Sequence, residues 1–398
     1  MYNVNTYGSA GFNGVTANSG PAAGERVGRI RGFDGLRAIA FLLVFVSHKV
    51  YFAHATCVGD IGVWLFFVLS GFLITTILAR SRCEIEEGCS SIYGSLWRFY
   101  LRRVARIFPP YYLLLALVAV ISIAIPIDYF GISEKIAYVL FGTNFLVAWR
   151  DYWIGDFGHF WSLAVEEQFY LVFAPLVLFV PRRYTLNVCV AVVIIGLITK
   201  AALHSQGAPA ISVDVNSLVN FALIGFGGIV ALNAKWRAPK WFIGGGAQVV
   251  VFGLYLALAA TFGTSTYIWP LAGKLAAILV GLLLFQIFQD QNTLFVAILE
   301  AMPLRYIGRI SYGAYLIHPF VHFDLLQPLL HYIAAEQAPR YVQVLAELGV
   351  SLVVASLSWR YLERPIIGWA ARVTSFDNGQ QTLRITVPRI AEHEPRRA

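Results

Sequence analysis

Charge is scarce in this chain. Of its 398 residues only 13% are Asp, Glu, Lys or Arg, against about a quarter in soluble domains. At the same time 58% are hydrophobic and the mean hydropathy is +0.66. A soluble globule has no way to bury that much apolar sequence, so this class is excluded. Cysteine is also sparse. Cys57, Cys83, Cys89 and Cys189 form no CxxC pair and no metal-type spacing with histidine. This leaves no basis for a disulfide framework or a zinc site, and no metal is expected. Residues 1–24 carry no charged side chain. They lack the charged start and apolar middle of a targeting segment and read as a disordered tail. Acidic residues number 22 against 30 basic ones, for a net charge of +8. Such an excess can signal nucleic-acid binding. Here the basic residues fall in short clusters between apolar runs, as in the cytoplasmic loops of membrane proteins.

What the chain has is repeated apolar runs of spanning length, about 20 residues each. The expected fold is all-α: a polytopic integral membrane protein of about ten transmembrane helices, near 36–53, 60–79, 108–127, 161–180, 185–203, 213–232, 242–262, 268–288, 306–328 and 341–361. With both termini in the cytoplasm, alternation leaves 24 of the 30 Lys and Arg residues on the inner side. The exceptions are Lys49, Lys135, Arg150, Lys200, Lys274 and Arg340, and the bias supports this orientation. The run 136–149, IAYVLFGTNFLVAW, is too short for a comfortable span and would invert every later cluster. It reads as a re-entrant or outer-surface element, with an eleventh span as the alternative. The organisation is then a cytoplasmic tail over 1–33, a membrane domain over 34–366 and a cytoplasmic tail over 367–398.

Four stretches carry titratable groups into or beside these spans. The first, Arg31 to Phe72, opens its apolar run with Arg37 and closes it with His48, eleven residues later and so about 16 Å along a helix. Ionisable groups inside a span are costly and mark functional sites by default, although a lone histidine is more often a packed one. The second is SLWRFYLRRVARIFPPYY. Arg98, Arg102 and Arg106 recur every four residues on one helical face with Arg103 beside it, and Pro109 and Pro110 restart the chain in the next span. This reads either as a lipid-binding interfacial helix or as a phosphate clamp. The third, GDFGHFWSLAVEEQFYLVF, crowds His159, Trp161, Ser162, Glu166 and Glu167 at the outer start of a span. One of its two carboxylates is expected to be only a helix-start charge. The fourth is RYIGRISYGAYLIHP, where Ser311, Tyr315 and His318 share one face. Late in the chain Glu363 and Arg364 suggest a local structural role, with Pro365 ending the last helix.

The pattern Arg37-x10-His48 followed by GVWLFFVLSGFLIT resembles the start of the membrane-bound acyltransferase 3 family. RRVARIFP, HFWSLAVEEQFY and GRISYGAYLIHP resemble its later motifs, so the likeness covers about residues 31–366. It implies a stand-alone, carbohydrate O-acetyltransferase-like enzyme in the bacterial inner membrane. Such an enzyme moves an acyl group, acetyl by default, from acyl-CoA on the cytoplasmic side to a hydroxyl of a surface or secreted glycan: an O-antigen, an exopolysaccharide or a lipo-oligosaccharide. Acyl-CoA is then a donor substrate, with no permanently bound cofactor. The resemblance tips the arginine helix toward the clamp, with Arg98, Arg102, Arg103 and Arg106 on the donor's nucleotide end. His48 becomes the general base, with Glu166 or Glu167 orienting or balancing it and Arg37 organising the inner half. His159, Trp161, Ser162, Ser311, Tyr315 and His318 are expected to face the acceptor. Acylation of a natural product such as a macrolide, or a proton-coupled transporter or flippase, are the alternatives; no inverted repeat favours the latter.

Overall fold

The computed structural model describes residues 29–50, 56–124, 131–261, 269–321 and 339–382. The expected tails at 1–28 and 383–398, and the span ends at 51–53, 125–127, 262, 268 and 322–328, lie outside these residues.

Among the described residues the chain forms helices and no strand. The main ones are α1 (Phe33–Lys49), α2 (Val58–Glu86), α3 (Ile92–Ala124), α4 (Ile132–Val139), α5 (Thr143–Arg150), α6 (Phe160–Phe179), α7 (Thr185–Ser205), α8 (Ser217–Asn233), α9 (Gly245–Thr261), α10 (Trp269–Gln289), α11 (Leu294–Leu299), α12 (Met302–Ile317), α13 (Arg340–Ser358) and α14 (Arg364–Thr382). Six described stretches are long and apolar enough to cross a membrane: Val58–Glu86, Ile92–Ile121, Gly155–Phe179, Arg182–Ser205, Ala210–Asn233 and Arg340–Thr374. The first and ninth expected spans correspond to α1 and α12, of 17 and 16 residues, at the lower limit of about 17–25 for a crossing. The protein is therefore an all-α membrane protein.

Burial separates centre from periphery. In α2, 67% of the most apolar window is buried inside the protein; in the α7 region the share is 11%. α7 thus presents Ile194, Ile195 and Ile198 outward as a lipid-type face, while α2 sits in the middle against α1, α6 and α8. Small residues set the close approaches. Gly227 of α8 lies against the Val68 carbonyl of α2, and Gly308 of α12 lies against the Asp34 carbonyl of α1. A Cβ at either position would collide with backbone. The GFGG run at 225–228 therefore packs as its composition suggests, whereas Gly246 in GGGA faces open space.

Three local expectations are corrected. Pro109 and Pro110 do not restart the chain: α3 runs unbroken through both. Two N–H groups are missing there, so the Ala105 and Arg106 carbonyls lose their helical donors, while Tyr312 Oη ties the adjacent Ile107 carbonyl to α12 at 2.8 Å and holds the helix in place. Pro365 does not end the last helix. The chain widens into a π-turn over Trp359–Glu363, with Arg364 N–H bonded to the Trp359 carbonyl, and α14 continues to Thr382. The wider turn absorbs the proline's missing donor. Residues 367–382 are accordingly helical, and α14 packs on α3.

The 136–149 run forms no spanning helix. It contributes to α4 and α5, eight residues each, about 12 Å long. They break at Phe141, whose φ is 52°. Side chains from longer helices satisfy the irregular backbone. Tyr111 Oη donates to the Tyr138 carbonyl at 2.7 Å, Tyr112 Oη to the Val139 carbonyl at 2.8 Å, and Gln168 Nε2 to the Phe141 carbonyl at 2.8 Å.

Candidate active site

Two cavities lie in the bundle, each lined by one end of α1. The helix begins at Gly32, whose φ of 88° is easily held only by glycine. Asp34 in its first turn and His48 and Lys49 in its last complement the helix dipole.

The first cavity, about 100 Å³, is lined by Arg37, Ser70, Arg103, Arg106, Glu166 and Tyr170 among others. Ser162, Ser311 and Tyr312 complete its rim. Its volume holds several water molecules. Three guanidinium groups meet one carboxylate here. Arg37 Nη1 also lies 3.6 Å from Asp34 Oδ1. The Arg103 guanidinium sits 5.3 Å over the Tyr170 ring and 5.7 Å from that of Phe99, within cation–π range. Tyr170 Oη donates to Glu166 Oε2 at 3.1 Å, and Ser70 Oγ lies 2.6 Å from the same hydroxyl. A carboxylate only accepts, so the serine hydroxyl is the group left to donate to Tyr170. The surplus of positive charge suits an anionic or strongly polarised guest.

The second cavity, about 420 Å³, is lined by His48, Lys49, Asp60, Trp153, His159 and Trp161 among others. His48 is exposed to it. Its Nδ1 lies 2.8 Å from Nε2 of His318, with the two rings nearly parallel at 6°. His318 is fully buried and its Nδ1 lies 2.8 Å from the Tyr315 carbonyl. His159 Nδ1 lies 2.7 Å from the Asp156 carbonyl. Below this group Lys49 Nζ, itself buried, reaches the Val321 carbonyl at 2.6 Å and Glu347 Oε2 at 3.2 Å. Trp153 and Trp161 stand 6.4 Å apart at the cavity wall. Imidazoles, a carboxylate and indoles together suit a neutral, hydroxyl-rich guest.

Val63 and Tyr315 line both cavities. Tyr315 Oη is held at this partition by the His159 carbonyl at 3.0 Å and by Ser162 Oγ at 2.6 Å. The shared face of Ser311, Tyr315 and His318 therefore serves both sides: Ser311 borders the first cavity and His318 backs the second.

Several expected groupings differ. Glu166 does not sit beside His48; it borders the arginine-lined cavity. It lies six residues into α6, about 9 Å below the helix start. Glu167 lines neither cavity, and its Oε1 is buried without a hydrogen-bond partner among the described residues. Of the four clamp arginines, only Arg103 and Arg106 reach the cavity. Arg98 turns back to Ser90 and Ser95, at 2.5 and 3.0 Å, and Arg102 Nε donates to Thr374 of α14 at 2.9 Å. The partner of His48, its neighbour Asp60, Trp153 and the Ser70–Tyr170 pair escaped the sequence reading. A serine and a tyrosine that meet from helices 100 residues apart carry no mark of each other in the sequence.

A family model described as "Acyltransferase domain", acyltransferase 3, matches residues 30–360. Peptidoglycan O-acetyltransferase OatA of Listeria monocytogenes is 26% identical over 361 residues, covering 85% of this chain and 56% of that protein. O-acetyltransferase OatA of Staphylococcus aureus is 28% identical over 357 residues, covering 84% and 57%. The chain thus spans little more than half the length of these curated relatives. No solved structure matches. With a matched region that takes in α1 through α13 and both cavities, the chain belongs to the acyltransferase 3 family.

Proposed function

We propose that the chain is a membrane O-acetyltransferase that moves an acetyl group from acetyl-CoA, reaching the arginine-lined cavity, to a hydroxyl of a cell-envelope glycan in the histidine-lined cavity. The single observation that carries this reading is the paired arrangement. Cationic and imidazole-bearing cavities, fed by the two ends of α1, meet at Val63 and Tyr315. The relatives' names add the acceptor class: one is a peptidoglycan O-acetyltransferase, and peptidoglycan is the acceptor to test first. The bias of basic residues toward one side of the membrane supports a cytoplasmic donor site, cytoplasmic termini and about ten spans in the bacterial inner membrane.

In the proposed reaction His48 removes the proton from the acceptor hydroxyl as its oxygen attacks the thioester carbonyl. The C–S bond breaks, the ester forms, and the coenzyme thiolate leaves and is protonated by the imidazolium. Arg37, Arg103 and Arg106 hold the negative charge of the donor. Tyr315 at the partition donates its one hydroxyl hydrogen to the His159 carbonyl and so walls the reaction site rather than binding the oxygen. Of the groups expected to face the acceptor, His159 and Trp161 border the larger cavity, together with Asp60, which the sequence did not suggest.

The test uses purified protein in lipid nanodiscs with radiolabelled acetyl-CoA and a peptidoglycan-derived oligosaccharide. Alkali-labile label on the glycan is expected, with at least a hundredfold loss in His48→Ala. Label that stays on coenzyme A whatever glycan is offered would overturn the reading; wild-type rates in His48→Ala would remove the histidine from it.

A further inference from the structure

We propose that His318 is a positioning residue: it fixes the ring tautomer of His48 so that Nε2 is the basic nitrogen presented to the histidine-lined cavity. The inference rests on the reading of His48 as general base and adds how that base is held.

The argument starts from acceptors that cannot change. The Tyr315 carbonyl oxygen only accepts hydrogen bonds, and His318 Nδ1 lies 2.8 Å from it. His318 Nδ1 therefore carries a hydrogen. In a neutral imidazole the other nitrogen, Nε2, is then a bare acceptor. His48 Nδ1 lies 2.8 Å from that acceptor, so His48 Nδ1 carries its hydrogen and His48 Nε2 holds the lone pair. The opposite sense would need His318 to hold hydrogens on both nitrogens. That would place a full charge on a residue with 0% exposure, walled by Phe41 and Phe45 at ring distances of 6.0 and 6.1 Å. Burying an unpaired charge costs several kcal/mol or more. The backbone thus sets His318, and His318 sets His48.

The arrangement performs what a carboxylate does for histidine in many hydrolases: it selects one tautomer and fixes the ring plane. It does so without a buried negative charge. Glu166 and Glu167, which the sequence put forward for this role, have no part in it; Glu166 borders the other cavity. The near-parallel rings are a geometric sign of this restraint. Among the described residues, the other charged and titratable groups that line this cavity with His48 are Lys49, Asp60, Asp156, His159 and Tyr315.

The experiment compares His318→Gln, His318→Phe and His48→Gln in nanodiscs. It reads acetyl transfer against pH and, separately, the ¹⁵N chemical shifts of the His48 ring. Glutamine at 318 keeps a carbonyl acceptor for His48 Nδ1–H; phenylalanine fills similar space without one. The expected result is a loss of kcat of tenfold or more in His318→Phe with the KM for acetyl-CoA unchanged, a shifted acid limb of the pH profile, and recovery of most activity in His318→Gln. The His48 signals should report Nδ1–H in the wild type and in His318→Gln, and a mixture of tautomers in His318→Phe. Equal kcat, pH profile and tautomer in His318→Phe and wild type would overturn the positioning role. If His48→Gln is itself fully active, it is the base reading that fails, whatever the spectra show of the ring.

Discussion

Tyr170 stands one helical turn after Glu166 on α6 and donates its hydroxyl to that carboxylate at 3.1 Å, while Ser70 on α2 approaches the same hydroxyl at 2.6 Å. The three residues tie two central helices together at the cavity that also holds Arg37, Arg103 and Arg106. Removing the hydroxyl in Tyr170→Phe leaves Glu166 short of one donor among three arginines, and the carboxylate then competes for the guanidinium groups that the proposed donor would use. A hydrogen bond to a charged group is worth about 1.5–3 kcal/mol, so kcat/KM for acetyl-CoA should fall by about ten- to a hundredfold. Donor titration at saturating glycan measures this, and an unchanged value would show that the pair is packing alone.

The arginine helix divides by direction. Arg103 and Arg106 face the cavity, whereas Arg98 binds Ser90 and Ser95 and Arg102 binds Thr374. Arg103→Ala and Arg106→Ala should each raise the KM for acetyl-CoA by tenfold or more. Arg102→Ala should change it less than threefold, because that side chain is exposed and spent on α14. Initial rates over a donor series distinguish the two classes; equal effects at all positions would mean that the helix acts by general charge.

A stability test sits at the other end of α1. Lys49 and Glu347 form an ion pair at 3.2 Å with side-chain exposures of 5% and 3%, joining α1 to α13. Removing one partner of such a pair costs about 3–5 kcal/mol, while replacing both with apolar groups is often neutral. Lys49→Met or Glu347→Leu alone should lower the unfolding midpoint in detergent, and the double variant should recover most of the loss. Additive losses, read by thermal unfolding of the purified variants, would show that the pair contributes no coupling.

Much of this site is legible in the sequence, for a physical reason. Helical periodicity places Ser311, Tyr315 and His318 on one face, and they do share the partition and the wall behind it. The spacing of Arg37 and His48 alone separates them by half a membrane, and they do line different cavities. What periodicity cannot carry is which helix comes to meet a given residue. His48 and His318 lie 270 positions apart, and neither run carries a mark of the other. Depth within a span is the second blind spot. Glu166 reads as an outer-rim residue because it follows a polar entry segment, yet six residues of helix carry it down to the arginines. Prolines mislead in the same direction twice. At Pro109 and at Pro365 the helix carries on, because packing in a bundle or a widened turn holds a course that an isolated helix in water would lose.

Val63 and Tyr315 touch both cavities. The septum between them is therefore a single layer of side chains. On the proposed reading a two-carbon fragment can change carriers at that layer while neither coenzyme nor sugar ever crosses. An enzyme built this way hands over only the fragment and keeps its two bulky carriers on opposite sides of the septum.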